Sequence, residues 1–175
     1  GRHAQPPVRQ ARLGRWRSLS KADAVRERHY GTAGFMVSLR IAILLNVPVR
    51  AFGYLAAMPA LSGPLPQWLS LLRLMMTIDV VLLTSLYAIA FVAALRHVPA
   101  FPRLLAAIWA LDLIMQVATQ RMMATMADLP ATVAGPLQSL IEGNILKVLA
   151  SIAIWLPYLL LSKRVNVTFR RQNRA

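Results

Sequence analysis

The sequence predicts an all-α integral membrane protein, built as a four-helix bundle with basic cytoplasmic tails. Hydrophobic residues make up 57% of the chain, and the mean hydropathy is +0.52. Charged residues make up 15%, against roughly 25% in a soluble domain. A spanning helix needs about 20 predominantly apolar residues, and four windows meet that length, at about residues 35–58, 68–95, 104–126 and 143–161.

Clusters of helix-breaking residues separate the four windows. "PALSGPLPQ" follows the first window, "HVPAFP" the second and "DLPATVAGP" the third. Pro and Gly in such clusters end helices. The predicted domains are a basic cytoplasmic N-terminal tail with a short helix (1–34), a four-helix transmembrane domain (35–162) and a basic cytoplasmic C-terminal tail (163–175).

The N-terminal tail combines an Arg-rich stretch with a helix signal. Ser20 and Asp23 have capping-box spacing, which predicts that a short helix begins there. The Arg-rich stretch before them has two open interpretations. It either holds the tail at an anionic lipid surface, where each Lys or Arg contributes about 1 kcal/mol, or docks a cytoplasmic partner.

Polar residues interrupt the first window at "AILLNVPVRAF", where Asn46, Pro48 and Arg50 stand in an otherwise apolar run. Pro48 removes a backbone donor and predicts a kink that exposes a carbonyl. At about 1.5 Å per residue, Arg50 lies about 12 Å from the outer end of its window, and Asp79 lies about 16 Å from the outer end of the second. An unpaired charge in hydrocarbon is costly, so the matched depths predict an Arg50–Asp79 pair.

Asp112 lies at a depth similar to that of Asn46 and is the least explained residue of the four windows. It shares Arg50, accepts a hydrogen bond from Asn46, or is protonated, because burial raises a carboxyl pKa. We group Asn46, Pro48, Arg50, Asp79 and Asp112 as an intramembrane polar notch. The notch either fixes helix packing, binds a ligand or ion, or becomes buried when a partner subunit docks.

A second set of charges lies toward the outer side of the predicted bundle: Arg73, Arg121, Glu142 and Lys147. The three basic residues lie within about five residues of a predicted helix end, where long side chains reach the headgroups. Alternatively, the four residues surround a cavity that accepts an anionic headgroup.

Basic residues in the connections predict the orientation. Lys and Arg are concentrated in the N-terminal tail, in the connection after the second window and in the C-terminal tail, whereas the connections around Ser62 and Thr132 contain none. Basic connections remain in the cytoplasm. Both termini of the protein are therefore predicted to lie in the cytoplasm.

The composition disfavours several functions. The chain has no Cys, and its three His residues lie in predicted tails or connections. Neither a metal-ligand set nor a buried catalytic His–carboxylate pair is therefore predicted. We expect no cofactor, and an enzyme acting on lipid is the least favoured of the candidate functions. The formal net charge of +14 lies mostly in tails and short connections rather than on a soluble basic face, so nucleic acid is not an expected partner.

The C-terminal segment "IWLPYLLLSKRVNVTFRR" resembles the closing signature of a bacterial membrane family catalogued as domain of unknown function 2569. "GTAGFMVSL", "NVPVR" and "LRHVPAFPRLL" resemble other family segments, and Phe35 and Asn166 depart from its pattern. The resemblance spans roughly residues 31–169 and implies four helices in a bacterial inner membrane without an established activity. The matching positions of the closing signature, interpreted physically as a membrane-exit motif, are Trp155, Pro157, Tyr158, Ser162, Lys163, Arg164, Val165, Thr168 and Phe169.

These observations predict a noncatalytic membrane protein, with an accessory or assembly subunit of a larger membrane complex as the leading role. The alternative is a small binding or transport protein that uses the notch of Arg50, Asp79 and Asp112 for an anionic or proton-coupled ligand. Expected partners are membrane lipids, anionic ones above all, and subunits of a membrane complex.

Overall fold

The computed structural model of the protein describes residues 16–26, 34–57, 66–170 and 172–174. Within them, four long helices form the bundle: α2 (Phe35–Ala57), α3 (Gln67–Leu95), α4 (Phe101–Ala124) and α5 (Ala131–Leu161). All four are long and apolar enough to cross a membrane. The predicted all-α membrane bundle is thereby confirmed, and the protein is a multi-pass membrane protein.

Short elements flank the bundle on both sides. Strand β1 (Trp16–Ser18) and helix α1 (Lys21–Arg26) precede it, and the backbone N–H of Asp23 donates to Ser20 Oγ at 3.2 Å at the start of α1. A helical turn, α6 (Lys163–Val165), a π-helical turn (Asn166–Arg170) and strand β2 (Gln172–Arg174) follow it. The two strands pair antiparallel, which ties the two ends of the described chain together.

Proline marks the beginnings of the long helices. Pro66 and Pro130 are the N-cap residues of α3 and α5, and Pro102 lies in the first turn of α4. Proline fits there because the first N–H groups of a helix have no partner within it. α2 begins after Gly34, which adopts a φ of 63° that glycine tolerates without strain.

The beginning predicted for the fourth helix, near residue 143, is wrong. Helix α5 begins at Ala131 and continues through Pro136. Pro136 removes the hydrogen bond to the carbonyl of Thr132, four residues earlier, and its ring crowds that carbonyl, but the helix continues on both sides of it. At about 1.5 Å per residue, α5 is about 46 Å long, which exceeds the roughly 30 Å hydrocarbon core of a bilayer.

Sequential helices pack against each other, α2 on α3, α3 on α4 and α4 on α5. Their outward faces carry large apolar side chains such as Phe52, Val81, Ile114 and Leu146. In lipid these side chains need no protein cover. The core contains residues from all four helices and from the two turns that follow α5 (163–170), which we together call the C-terminal turn. Among these core residues are Leu39, Leu83, Tyr87, Leu105, Trp109, Val148 and Phe169.

We call the end of the bundle that contains Phe35, Leu95, Phe101 and Leu161 the basic end, and the opposite end the far end. At the basic end, the Phe35 ring lies 4.5 Å from that of Trp155, measured between centroids, and 4.9 Å from that of Tyr158. Aromatic contacts thus join the first and last spanning helices there.

The C-terminal segment does not extend from the basic end as a solvated tail. The side chains of Val165, Asn166, Val167, Thr168 and Phe169 are buried, and the Phe169 ring packs 4.9 Å from that of Phe101. The predicted membrane-exit motif is therefore, in its second half, a packing motif.

The first half of that motif lies on and beside the last turns of α5. The Ser162 backbone N–H donates to the carbonyl of Tyr158 at 3.0 Å. Pro157 is exposed inside α5, and Arg164 is half-buried. The side chain of Lys163 lies outside the described part of the structure.

Candidate functional site

The guanidinium of Arg50 in α2 binds two carboxylates on two other helices. Its NH1 donates to Asp79 Oδ2 at 2.5 Å and its NH2 to Asp112 Oδ2 at 2.7 Å. We call these three residues the charge cluster. It connects α2, α3 and α4, and it contains the Arg50–Asp79 pair that the matched depths predict.

The helix geometry explains why these three side chains meet. At about 1.5 Å per residue, Arg50 lies about 22 Å along α2 from Phe35, Asp79 about 24 Å from the basic end of α3, and Asp112 about 16 Å from the start of α4. The long Arg side chain spans the remaining difference in depth. All three positions lie deep in the predicted hydrocarbon region, where an unpaired charge costs several kcal/mol.

Asp112 is the anchor of the cluster. Its side chain is fully buried, against 19% exposure for Asp79 and 14% for Arg50. Besides Arg50, it accepts hydrogen bonds from the Tyr87 hydroxyl at 3.0 Å and from Gln116 Nε2 at 3.5 Å. Asp112 thus shares Arg50, which is one of the alternatives that the sequence leaves open. The Asn46 amide oxygen accepts from Arg50 Nε at 3.5 Å, and Asn46 donates no hydrogen bond to Asp112.

Tyr87 and Gln116 are site residues that are absent from the predicted polar notch. Gln116 carried a usable signal, because it follows Asp112 by one helical turn and therefore lies on the same face of α4. The sequence carries no such signal for Tyr87, because its contact with α4 depends on how α3 is rotated about its own axis. Pro48, another member of the polar notch, is exposed, and α2 continues through it.

A pocket of about 380 Å³ lies beside the charge cluster, and all four long helices line it. Arg50 and Asp79 form part of one wall. Gln116, Thr119, Asn144 and Lys147 supply further polar groups. The remaining lining is mostly apolar and comprises Val49, Gly53, Tyr54, Leu72, Met75, Met76, Val80, Leu137, Leu140 and Ile141.

Lys147 lies in the pocket wall and not near a helix end as predicted. Because α5 begins at Ala131, Lys147 is about 24 Å along the helix and about 21 Å from Leu161. It therefore lies at the level of Arg50 and Asp79. The prediction that Lys147 is close to the outer end of its helix is corrected by the true length of α5.

The other predicted headgroup contacts, Arg73, Arg121 and Glu142, do not line this pocket. Arg73 and Arg121 are exposed on α3 and α4, and neither is among the residues that line the pocket. Glu142 accepts a hydrogen bond from Gln138 Nε2 at 2.9 Å on the exposed face of α5. Only Lys147 of the predicted set lines it.

Arg40, near the basic end of α2, donates to the backbone carbonyl of Ala94 in the last turn of α3. The last carbonyls of a helix carry partial negative charge and lack helical partners, which makes them suitable acceptors for an Arg. The contact fixes α2 against α3 at the basic end.

Within the described residues, no three His, Cys, Asp or Glu side chains are grouped closely enough to hold a metal ion. The chemistry offered by the site consists of the charge cluster, the ammonium of Lys147, and amide and hydroxyl groups. This arrangement suits binding of a polar or charged group and contains no assembled nucleophile and base.

The fold and the site define a class: a four-helix membrane-spanning bundle with a buried charge cluster beside an interhelical pocket. A family model described as "Protein of unknown function (DUF2569)" matches residues 32–170, and the chain belongs to this family. The predicted family resemblance is confirmed. Comparison with curated proteins and with solved structures finds no match.

Proposed function

We propose that this protein is a noncatalytic membrane protein that binds a small charged ligand in the interhelical pocket, as a binding or transport protein. The observation that carries this proposal is the position of the pocket against Arg50 and Asp79. A charge cluster used only to fix helix packing has no need of an adjoining cavity. Intramembrane charges next to a cavity are typical of substrate and ion pathways.

The size and lining of the pocket support this proposal. Ligand pockets measure about 300–1,000 Å³ and combine apolar walls with a few polar groups that orient the ligand. The pocket, at about 380 Å³, falls within this range and has that composition. It suits a molecule with a charged part and a small apolar part.

The test is native mass spectrometry of protein extracted gently from its own membrane. Gly53 lines the pocket, and a Cβ added there meets no atom within 4 Å, so Gly53→Phe introduces bulk without a backbone clash. We expect wild-type protein to retain a small bound mass and Gly53→Phe to lose it. Gly143→Phe is the matched control, because Gly143 is also open but lies outside the pocket. Equal retention by both variants would contradict the proposal.

A second candidate function is an accessory or assembly subunit of a larger membrane complex. The observation that favours it is the position of α5, whose most apolar window is 11% buried, against 39% for α4. One long face of α5 is thus open to lipid or to another subunit. A discrete complex with other polypeptides, lost in Leu146→Trp on α5 but kept in Ile114→Trp on α4, would support this function.

We further propose a bacterial inner-membrane location with both termini in the cytoplasm. The placement of Lys and Arg in the tails and in the connection between α3 and α4 supports this orientation. In this orientation the basic tails contact anionic lipids of the inner leaflet.

A further inference from the structure

We infer that the pocket recognises a zwitterion, with the ligand's ammonium at Asp79 and its phosphate or carboxylate at Lys147. This inference rests on the proposed ligand-binding function and specifies the chemical class of the ligand. It is carried by the arrangement of charges around the pocket.

Arg50 is occupied within the charge cluster and is not the anion receptor. Each of its three guanidinium nitrogens donates to a side chain, NH1 to Asp79, NH2 to Asp112 and Nε to Asn46. One guanidinium thus faces two carboxylates, and the cluster has a net charge of −1 when both are ionised. A free anion meets repulsion at this wall of the pocket.

Asp79 has binding capacity left for a cation. Its Oδ2 accepts from Arg50, whereas its Oδ1 accepts no hydrogen bond from any residue that the structure describes. The side chain lines the pocket and is partly exposed to it. A carboxylate accepts hydrogen bonds at both oxygens, so a ligand ammonium can bind at Oδ1 without displacing Arg50.

Lys147 supplies the compensating positive charge from another helix. It lines the same pocket, and its ammonium makes no ion pair with a described residue. The formal charges of Arg50, Lys147 and the two ionised carboxylates sum to zero. A ligand with a net charge would leave the low-dielectric site charged, which is costly, whereas a zwitterion keeps it neutral while engaging both walls.

Two sources supply this chemistry: a water-soluble zwitterion and a phospholipid with an ammonium-bearing headgroup. The experiment uses purified protein in a neutral detergent, titrated and monitored by native mass spectrometry. The probes are glycerophosphoethanolamine, whose phosphodiester and ammonium charges cancel, phosphatidylethanolamine, and phosphatidylglycerol with the same acyl chains, which carries a net negative charge. Binding of glycerophosphoethanolamine alone identifies a soluble ligand, and preferential binding of the ethanolamine lipid identifies a lipid.

The decisive variant is Lys147→Met, which preserves side-chain length and removes the charge. We expect it to weaken zwitterion binding by about tenfold, as is typical for loss of one charge-assisted contact. Arg121→Met, an exposed cation outside the pocket, is the matched control and should bind like the wild type. Asp79→Asn should weaken binding of the zwitterions but not of phosphatidylglycerol. Lys147→Met keeps the test valid if Asp79→Asn fails to fold, because it breaks no ion pair.

The outcomes distinguish failure of the zwitterion assignment from failure of the proposed ligand-binding function. Loss of binding in Gly53→Phe together with unchanged zwitterion binding in Lys147→Met would overturn the zwitterion assignment and leave the pocket function standing. Preference of the wild type for phosphatidylglycerol would also overturn it. Full retention of the probes by Gly53→Phe would reject the pocket itself as the binding site.

Discussion

Two carboxylates bind Arg50, and their surroundings give them different roles. Asp112 is enclosed and accepts hydrogen bonds from Arg50, Tyr87 and Gln116. Asp79 faces the pocket and pairs with Arg50 alone among the described residues. The first position is suited to holding three helices together, and the second is suited to meeting a ligand.

We predict that Asp112→Ala is more destabilising than Asp79→Ala. Loss of Asp112 leaves the Tyr87 hydroxyl without its acceptor and removes the buried carboxylate that Arg50 NH2 binds in a closed interior. Disrupting a buried ion pair in this way costs about 3–5 kcal/mol. The prediction is checked by measuring the free energy of unfolding of both variants in mixed detergent micelles. Asp128→Ala, in the exposed loop before α5, is the control. Equal losses for the two variants would contradict the assignment of Asp112 as the anchor.

His97, in the connection between α3 and α4, predicts a pH dependence of stability. Burial, and then the positive charge of Arg40, lower the pKa of His97 below its usual value. The unfolded chain therefore binds a proton at this position more readily than the folded chain. Stability is fully present above the ordinary His pKa of about 6.5 and is lost as the pH falls below it.

The control for this prediction is His97→Asn. His97 has a φ of 54°, a left-handed conformation that Asn tolerates better than most residues. We expect the variant to fold and to lose less stability than the wild type between pH 7.5 and pH 5.0, measured by thermal unfolding in detergent. An unchanged pH dependence in the variant would assign the effect to other groups.

Among the elements, the C-terminal turn packs through side chains that are buried, from Val165 to Phe169. Its Phe169 ring contacts Phe101 at 4.9 Å and His97 at 6.1 Å, measured between ring centroids. The segment thus packs against the α3–α4 connection and the start of α4. It covers the basic end of the bundle at that point.

We predict that Phe169→Ala detaches this turn. Replacing a buried Phe with Ala costs about 3–5 kcal/mol, and it removes the ring that packs against the α3–α4 connection and the start of α4. Amide hydrogen exchange of residues 165–169 should accelerate, while exchange in α3 remains slow. Leu161→Ala, which alters an exposed side chain at the end of α5, should leave the exchange of the turn unchanged. Slow exchange in Phe169→Ala would show that other contacts hold the segment.

At the scale of the whole molecule, the distribution of basic residues predicts how the protein is oriented. The wild-type chain has no Cys, so single-cysteine variants report one position each. We expect Thr132→Cys, at the far end, to react with a membrane-impermeant maleimide applied to intact cells. Ala100→Cys, at the basic end, should react only after the inner membrane is permeabilised. The reverse pattern would contradict the proposed orientation.

The sequence alone predicts the number of spanning helices, the family and the depths of Arg50, Asp79 and Asp112. These properties depend on composition and on the fixed rise of a helix, which are local. The Arg50–Asp79 pair could be inferred for the same reason, because one distance along each helix is sufficient. The start of α5 was misplaced because Gly135 and Pro136 resemble a helix end unless their position within the first turns is known.

Only the tertiary structure decided which side chains surround the charge cluster and the pocket. Whether Tyr87 reaches Asp112, and whether Lys147 faces a pocket or lipid, depends on how each helix is rotated about its axis and which helices are its neighbours. Packing of side chains between helices sets these rotations. An almost uniformly apolar helix has little hydrophobic periodicity, so its sequence does not indicate which face is turned toward its neighbours. Burial of the C-terminal turn was likewise decided by the tertiary structure, because its partners, Phe101 and His97, are distant in sequence and contact it only in the folded bundle.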